Sequence, residues 1–159
     1  MIAVLQRVKR ARVIVDDKLV GSCQKGICIL LGVSKEDTEA DAEALVNKIV
    51  GLRIFTDADG KMNLSLADID GELLVVSNFT LLASYRKGKR PDYMNAASPS
   101  EAERLYEYFT ALCKKQVRSV ENGIFGAEME LEITNDGPVT IVMDSNVLLR
   151  KNDFRMEQK

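Results

Sequence analysis

A chain of 159 residues, 46% hydrophobic and 29% charged, is sized for one soluble, compact domain with a substantial core. Its net charge of −2 argues against a general polyanion binder. The absence of histidine excludes a Ser-His-Asp triad, a Cys-His pair and an H-E-x-x-H zinc site together. Hydrolytic chemistry would have to rest on backbone amides, hydroxyls, carboxylates or the substrate itself.

Taken in chain order, Ile2–Val8 and Ala11–Val15 read as short strands, Asp16-Asp17 as a turn, and Lys18–Cys23 as the returning strand. The start, Met1–Val8, lacks the layout of a signal peptide, and no run is apolar enough to span a membrane; a cytoplasmic protein is expected. Gly26–Val33 is almost continuously apolar, the pattern of a strand buried on both faces. Across Glu36–Leu52 the period changes, and Ala42, Leu45, Ile49 and Leu52 form one apolar helical face. Arg53–Thr56 is expected to be extended and Asp57-Ala58-Asp59-Gly60 to turn. The acidic spacing there is similar to a calcium loop, but the later ligands and terminal glutamate are missing.

Glu72–Phe79 reads as a valine-rich strand, and Ala83–Ala97 as an exposed loop. Ser98-Pro99-Ser100-Glu101 offers an N-cap, a proline at the first helical position and a capping-box glutamate. The helix that follows carries Leu105, Tyr108, Phe109 and Leu112 on one side. Glu128–Thr134 then alternates, with Met129, Leu131 and Ile133 on one face, and Val139–Met143 is its natural hairpin partner. The fold class is α/β, a single mixed domain with two main helices. Cys23, Cys28 and Cys113 show no C-x-x-C spacing and suggest neither a disulfide framework nor a zinc site, so no metal or cofactor is expected.

Two basic clusters stand out: Arg7, Lys9, Arg10 and Arg12, then Arg86, Lys87, Lys89 and Arg90. Each is either a solvated face or part of a local phosphate-binding surface. Two further segments draw attention. Asn135-Asp136-Gly137-Pro138 is an ordinary hairpin break by local rules, yet a Gly-Pro bond turns cis at a cost of only about 0.5–1 kcal/mol. In that form it would aim two carbonyls in nearly one direction. Ser77–Leu81 is either a plain strand end or a catalytic corner whose N–H groups near Phe79 and Thr80 stabilise an ester oxyanion.

These segments carry a resemblance. Ser77-Asn78-Phe79-Thr80-Leu81 is similar to the S-Q-F-T-L motif of the D-aminoacyl-tRNA deacylases, and Asn135-Asp136-Gly137-Pro138-Val139-Thr140 to their N-x-G-P-V-T motif. Met1–Val8, Arg53-Ile54-Phe55, Gly60–Leu64, Ala97-Ser98-Pro99 and Gly123–Met129 resemble family sequence as well. The likeness runs from Met1 to about Met143, so a domain is expected over 1–144 with 145–159 as a C-terminal tail. One departure is Asn78, where the family has glutamine; the amide is kept but sits one methylene nearer the backbone.

The resemblance implies a fold of largely antiparallel, barrel-like sheets and hydrolysis of the D-aminoacyl-tRNA ester, with glycyl-tRNA mischarged on tRNA(Ala) as a further substrate. It implies a homodimer with active sites at the interface, binding the acceptor end of aminoacyl-tRNA. Gly137 and Pro138 of one subunit would reach into the other's pocket, hold the substrate's α-ammonium and leave no space for an L side chain. Arg7 would steady that motif. Ser77, Asn78, Phe79 and Thr80 would surround the ester, and Phe125, Gly126 and Met129 would line the pocket for the terminal adenosine. For Phe125 and Met129 core packing is the alternative. Two other readings stay open: a non-catalytic module that binds tRNA acceptor ends, and a deacylase clearing a mischarged L-amino acid.

Overall fold

The computed structural model describes residues 1–149, organised around one long strand. β1 (Ile2–Val15) runs without interruption where the apolar pattern suggested two strands. The pause at Lys9-Arg10 breaks the pattern and not the pairing, because Arg10 still faces Thr134 across the ladder. Here β1 passes between two cores. Ala3 and Leu5 belong to the larger one, whereas Val8, Ala11 and Val13 belong to a smaller core built by strands alone.

β2 (Lys18–Cys23) returns through Asp16-Asp17, both at positive φ (48° and 61°), the geometry that suits the twist of a tight hairpin. After a short break, β3 (Gly26–Gly32) continues antiparallel to β1, from Val8↔Gly26 to Ile2↔Gly32. β6 (Glu72–Ser77) then lies parallel to β3, and β7 (Val120–Asn122) parallel to β6. The sheet order is β2-β1-β3-β6-β7, and its ends nearly meet, where the Ser22 N–H donates to the Glu121 carboxylate at 2.6 Å. The barrel-like, largely antiparallel sheet is thus present, with the two parallel pairings confined to β6 and its neighbours.

Two helices cover one face. α1 (Glu39–Val50) contributes Ala42, Leu45 and Ile49, and α2 (Pro99–Gln116) contributes Leu105 and Phe109, to a core with Ile27, Ile29 and Leu31 of β3. The opposite side of these strands, with Cys28 and Val76, faces the smaller core. That is why β3 reads as continuously apolar. The expected capping-box glutamate of α2 is absent in that role: Glu101 pairs with Arg104 at 2.6 Å instead of returning to Ser98. β4 (Phe55–Thr56) and β5 (Met62–Leu64) form a small separate pair. Their turn is closed by the Asp57 carboxylate, which accepts from the Asp59 and Lys61 N–H groups at 2.9 Å.

The expected hairpin near the C-terminus does not form. β8 (Glu130–Asp144) is one strand that pairs with β1 on both sides of a bulge, from Ile14↔Glu130 to Val8↔Asn135 and from Gln6↔Thr140 to Ile2↔Asp144. Its other edge has no strand partner among the described residues. α3 (Ser145–Leu149) follows, with Ser145 fully buried. The Ser145 hydroxyl donates to Asp41 at 2.6 Å and accepts from the Met1 ammonium at 2.7 Å; that ammonium also meets Asp37 at 2.5 Å. Residues 150–159 of the expected tail lie outside the described residues.

Candidate active site

The first motif sits where β6 ends. The strand stops at Ser77, two residues before the sequence pattern suggested, and the Asn78 N–H donates to the Leu31 carbonyl at 2.8 Å. A 3-10 helix, Phe79–Leu82, then turns the chain away. Asn78 is its N-cap: the side-chain Oδ1 accepts from the Thr80 N–H at 3.2 Å and from the Thr80 hydroxyl. Asparagine is among the best capping residues because its amide oxygen reaches these N–H groups without an extra methylene. This gives the departure from the family glutamine a local structural reason. Among the described residues nothing accepts the Phe79 N–H. Close packing of the corner onto β3 depends on Gly32, where a Cβ would lie 2.5 Å from Leu82 Cδ2 and 3.1 Å from the Asn78 carbonyl oxygen.

Beside the corner opens a cleft of about 630 Å³. Ser77, Asn78 and Phe79 stand on one wall, and Phe125, Gly126 and Met129 on another, so six of the expected site residues come together. Sequence reasoning missed Tyr106, which also lines the cleft; its ring lies 5.8 Å from that of Phe125. Its hydroxyl donates to the Val75 carbonyl at 2.8 Å and accepts from Asn122 at 3.1 Å, which aligns β6 and β7 at the cleft floor. Burial pushes the phenol pKa up, with a smaller opposing effect from Asn122. Adjacency to Leu105 on the apolar helical face was the one signal available for it. Thr80, Arg7, Gly137 and Pro138 do not line the cleft of their own chain. Of two smaller clefts, one of about 400 Å³ is crossed by the Arg12–Glu132 pair and the other, about 350 Å³, lies behind Tyr106 and Phe125. Neither holds a residue of the Ser77–Leu81 motif.

The second motif is a bulge in β8. Between Gln6↔Thr140 and Val8↔Asn135, β1 spends one residue, Arg7, while β8 inserts Asp136, Gly137, Pro138 and Val139. Asn135 holds the gap closed: its Oδ1 accepts from the Val139 N–H at 3.0 Å, and its Nδ2 donates to Gln6 Oε1 at 2.9 Å. The Gly137-Pro138 bond is cis, and both residues are exposed. Gly137 has φ 148°, and a Cβ there would meet the Val139 nitrogen at 2.6 Å. Behind the bulge, Arg7 is 8% exposed; its Nε donates to the Asp136 carbonyl at 2.8 Å and its Nη1 to the Ile54 carbonyl at 2.7 Å.

Burial pushes the thiols of Cys23, Cys28 and Cys113 up to about 12, so they are neutral packing groups at physiological pH. Among the described residues no group of three or more Cys, Asp and Glu side chains is placed to hold a metal ion. No described helix is long and apolar enough to cross a membrane.

Residues 4–144 match the family model described as D-Tyr-tRNA(Tyr) deacylase. The chain belongs to this family. A D-aminoacyl-tRNA deacylase of Caldicellulosiruptor saccharolyticus is 61% identical over 145 residues, covering 91% of this chain and 97% of that protein. One from Thermosipho melanesiensis is 55% identical over 146 residues, with 91% and 97% coverage. Among solved structures, the c-Myc DNA Unwinding Element Binding Protein superposes with a TM-score of 0.86 at 43% identity, over 91% of this chain and 98% of that one. A probable eukaryotic D-amino acid tRNA deacylase shares the fold, with a TM-score of 0.78 at 18% identity over 90% of this chain and 98% of the other.

Proposed function

We propose that this protein hydrolyses the ester bond of D-aminoacyl-tRNA in the cytoplasm, releasing the free D-amino acid and tRNA. The observation that carries the reading is the meeting of Ser77-Asn78-Phe79 with Phe125, Gly126 and Met129 in one cleft, in a chain of the deacylase family. The terminal adenosine lies against Phe125, Gly126 and Met129, and the ester carbonyl faces the corner. The free Phe79 N–H is the oxyanion donor, and such donors contribute a few kcal/mol to transition-state stabilisation. Water adds to the carbonyl carbon, the bond to the ribose 3′-oxygen breaks, and the water proton passes to that oxygen through the neighbouring 2′-hydroxyl. Thr80 is not assigned as nucleophile, because its hydroxyl is engaged by Asn78 and no histidine exists to activate it.

Chirality is read by Gly137 and Pro138, presented to the cleft of a second copy. Their carbonyls hold the α-ammonium, and the rigid backbone fills the space an L side chain needs. The outer edge of β8, without a strand partner among the described residues and with Val142 69% exposed, supports a homodimer formed on this side. A filter that excludes L side chains has no steric means to refuse glycine, so glycyl-tRNA mischarged on tRNA(Ala) is cleaved as well.

A second reading, a non-catalytic module that binds tRNA acceptor ends, is favoured by one observation: the c-Myc DNA Unwinding Element Binding Protein, 43% identical to this chain, bears the name of a nucleic-acid-binding protein. Ester loss from matched D-tyrosyl-tRNA and L-tyrosyl-tRNA separates the two. Rapid loss of the D ester alone is expected. Binding without loss of either ester supports the module, and loss of the L ester overturns the assignment of Gly137 and Pro138.

A further inference from the structure

The two basic clusters have different fates. In the first, Arg7 is buried behind the bulge and Arg12 pairs with Glu132, which leaves only Lys9 and Arg10 exposed and, among the described residues, without an ion pair. In the second, Arg86, Lys87, Lys89 and Arg90 are all exposed, and among the described residues none forms an ion pair. They occupy the tip of a loop whose base is fixed. Ser84 and Asp92 exchange backbone hydrogen bonds at 2.8 and 2.9 Å, and the Ala97 N–H ties the loop end to the Val33 carbonyl at 2.9 Å. The tip also carries Tyr85, 83% exposed and without an aromatic neighbour among the described residues.

This loop leaves the catalytic corner directly. Phe79 of the corner and Tyr93 of the loop meet edge to face, ring centroids 5.0 Å apart, between the tip and the cleft. A cleft of about 630 Å³ is of the size that holds one terminal nucleoside with its aminoacyl group. The nucleotides before it therefore run outside the cleft, and the loop stands at the cleft's rim through the Phe79–Tyr93 contact. An exposed ring beside four uncompensated cations fits a polyanion whose flat bases are unstacked, which is a single strand and not a duplex. Phosphates along such a strand meet the cations, and an unpaired base finds a stacking surface.

We infer that the tip of this loop is a clamp for the single-stranded 3′ end of the substrate. Tyr85 stacks on an unpaired base preceding the terminal adenosine, and Arg86, Lys87, Lys89 and Arg90 neutralise the adjoining phosphates. The inference deepens the deacylase reading and rests on it for the identity of the strand.

Its test uses three substrates: D-tyrosyl-adenosine, a short single-stranded ribo-oligonucleotide carrying a 3′ D-tyrosyl ester, and D-tyrosyl-tRNA. Replacing all four cations by glutamine is expected to lower kcat/KM at least about ten-fold on the oligonucleotide and the tRNA at low salt, and to flatten the salt dependence by about 0.7 log unit per lost contact. Tyr85→Ala should cost roughly ten-fold on the same two substrates, with Tyr85→Phe close to the parent protein. Cleavage of D-tyrosyl-adenosine should be unchanged throughout, with unchanged thermal midpoints. Equal loss on all three substrates would mean that the loop shapes the cleft, and loss on tRNA alone would place it on the duplex stem; either overturns the clamp. Undiminished cleavage of all three overturns it too. If the parent protein cleaves none of the esters, the deacylase reading has failed, and binding of the uncharged oligonucleotide to the parent and the glutamine variant then decides the clamp separately.

Discussion

The two motifs of this protein are built in opposite ways. The Ser77–Thr80 corner is held inside its own chain, hydrogen-bonded to β3 through Asn78 and Leu31 and forming a wall of its own cleft. The Asn135–Pro138 bulge stands on a sheet edge that has no strand partner among the described residues, outside that cleft, with Gly137 and Pro138 exposed. Yet the bulge is no looser: Asn135 bridges it to Gln6 and Val139, and the buried Arg7 braces it from behind. Rigidity without a local pocket suits the proposed role, in which the bulge acts outside its own cleft. In the proposed dimer it acts on the substrate in the other copy's cleft.

The largest effect is expected where the bulge cannot yield. Gly137→Ala places a Cβ against the Val139 nitrogen at a φ that L side chains avoid. Single-turnover cleavage of D-tyrosyl-tRNA should fall about 100-fold, the scale of a misplacement near 1 Å, with a much smaller change in melting temperature. Activity close to that of the parent would break the comparison, since the bulge would then have no part in the reaction.

Arg7→Met should come next, because it removes two hydrogen bonds to buried or half-buried carbonyls while keeping most of the side-chain volume. A loss of about 1–3 kcal/mol is expected in denaturant melts. Discrimination between D and L esters should weaken with it, as the bulge loses its brace. At the corner the expectation is reversed. Thr80→Ala should retain most activity, whereas Asn78→Ala, which loses the cap, should cost about 0.5–2 kcal/mol of stability. Complete loss of cleavage in a folded Thr80→Ala protein would restore the hydroxyl to a chemical role.

The smallest effect concerns the far end of β8, which Ser145 pins to Asp41. Burial opposes the Asp41 charge, but hydrogen bonds from Ser145 and Thr38 outweigh it and hold the carboxyl below its usual range. The contribution is therefore present above the unfolded-state value near ~3.9 and is lost as pH falls through the lower folded value. Asp37 runs the other way, since desolvation raises its carboxyl against the ammonium and Ser34 N–H bonds that favour the charge. Its contribution is complete below the unfolded-state value and fades as pH rises through the folded one. Comparing acid unfolding of the parent with Asp41→Asn isolates the first: the parent's advantage should vanish in the acid limb. An advantage that persists there would show that the Ser145 contact does not depend on the charge.

How much was legible depends on the range of the physics involved. The β3 run, the Ala42-Leu45-Ile49 face of α1, the Asp57 turn and the hairpin at Asp16-Asp17 follow from neighbours within a few residues and stand as the sequence suggests, although α1 ends at Val50 and leaves Leu52 outside it. The motif residues of the cleft were identifiable because their order and flanks resemble a family whose membership the comparisons bear out. Tyr106 was not, because its hydroxyl finds the Val75 carbonyl and Asn122 only after α2 docks on the sheet.

The sequence alone determined the two-faced burial of β3, the helical faces and the absence of histidine chemistry, since periodicity and composition are local properties of the chain. Only the tertiary structure decided that Glu130–Asp144 is one strand and not a hairpin. Asn135-Asp136-Gly137-Pro138 has turn chemistry in either case, and local propensity does not record which way the chain leaves a turn. What settles the matter is β1, long enough to offer registers to both halves on the same edge, so that pairing with a distant strand outcompetes pairing with each other.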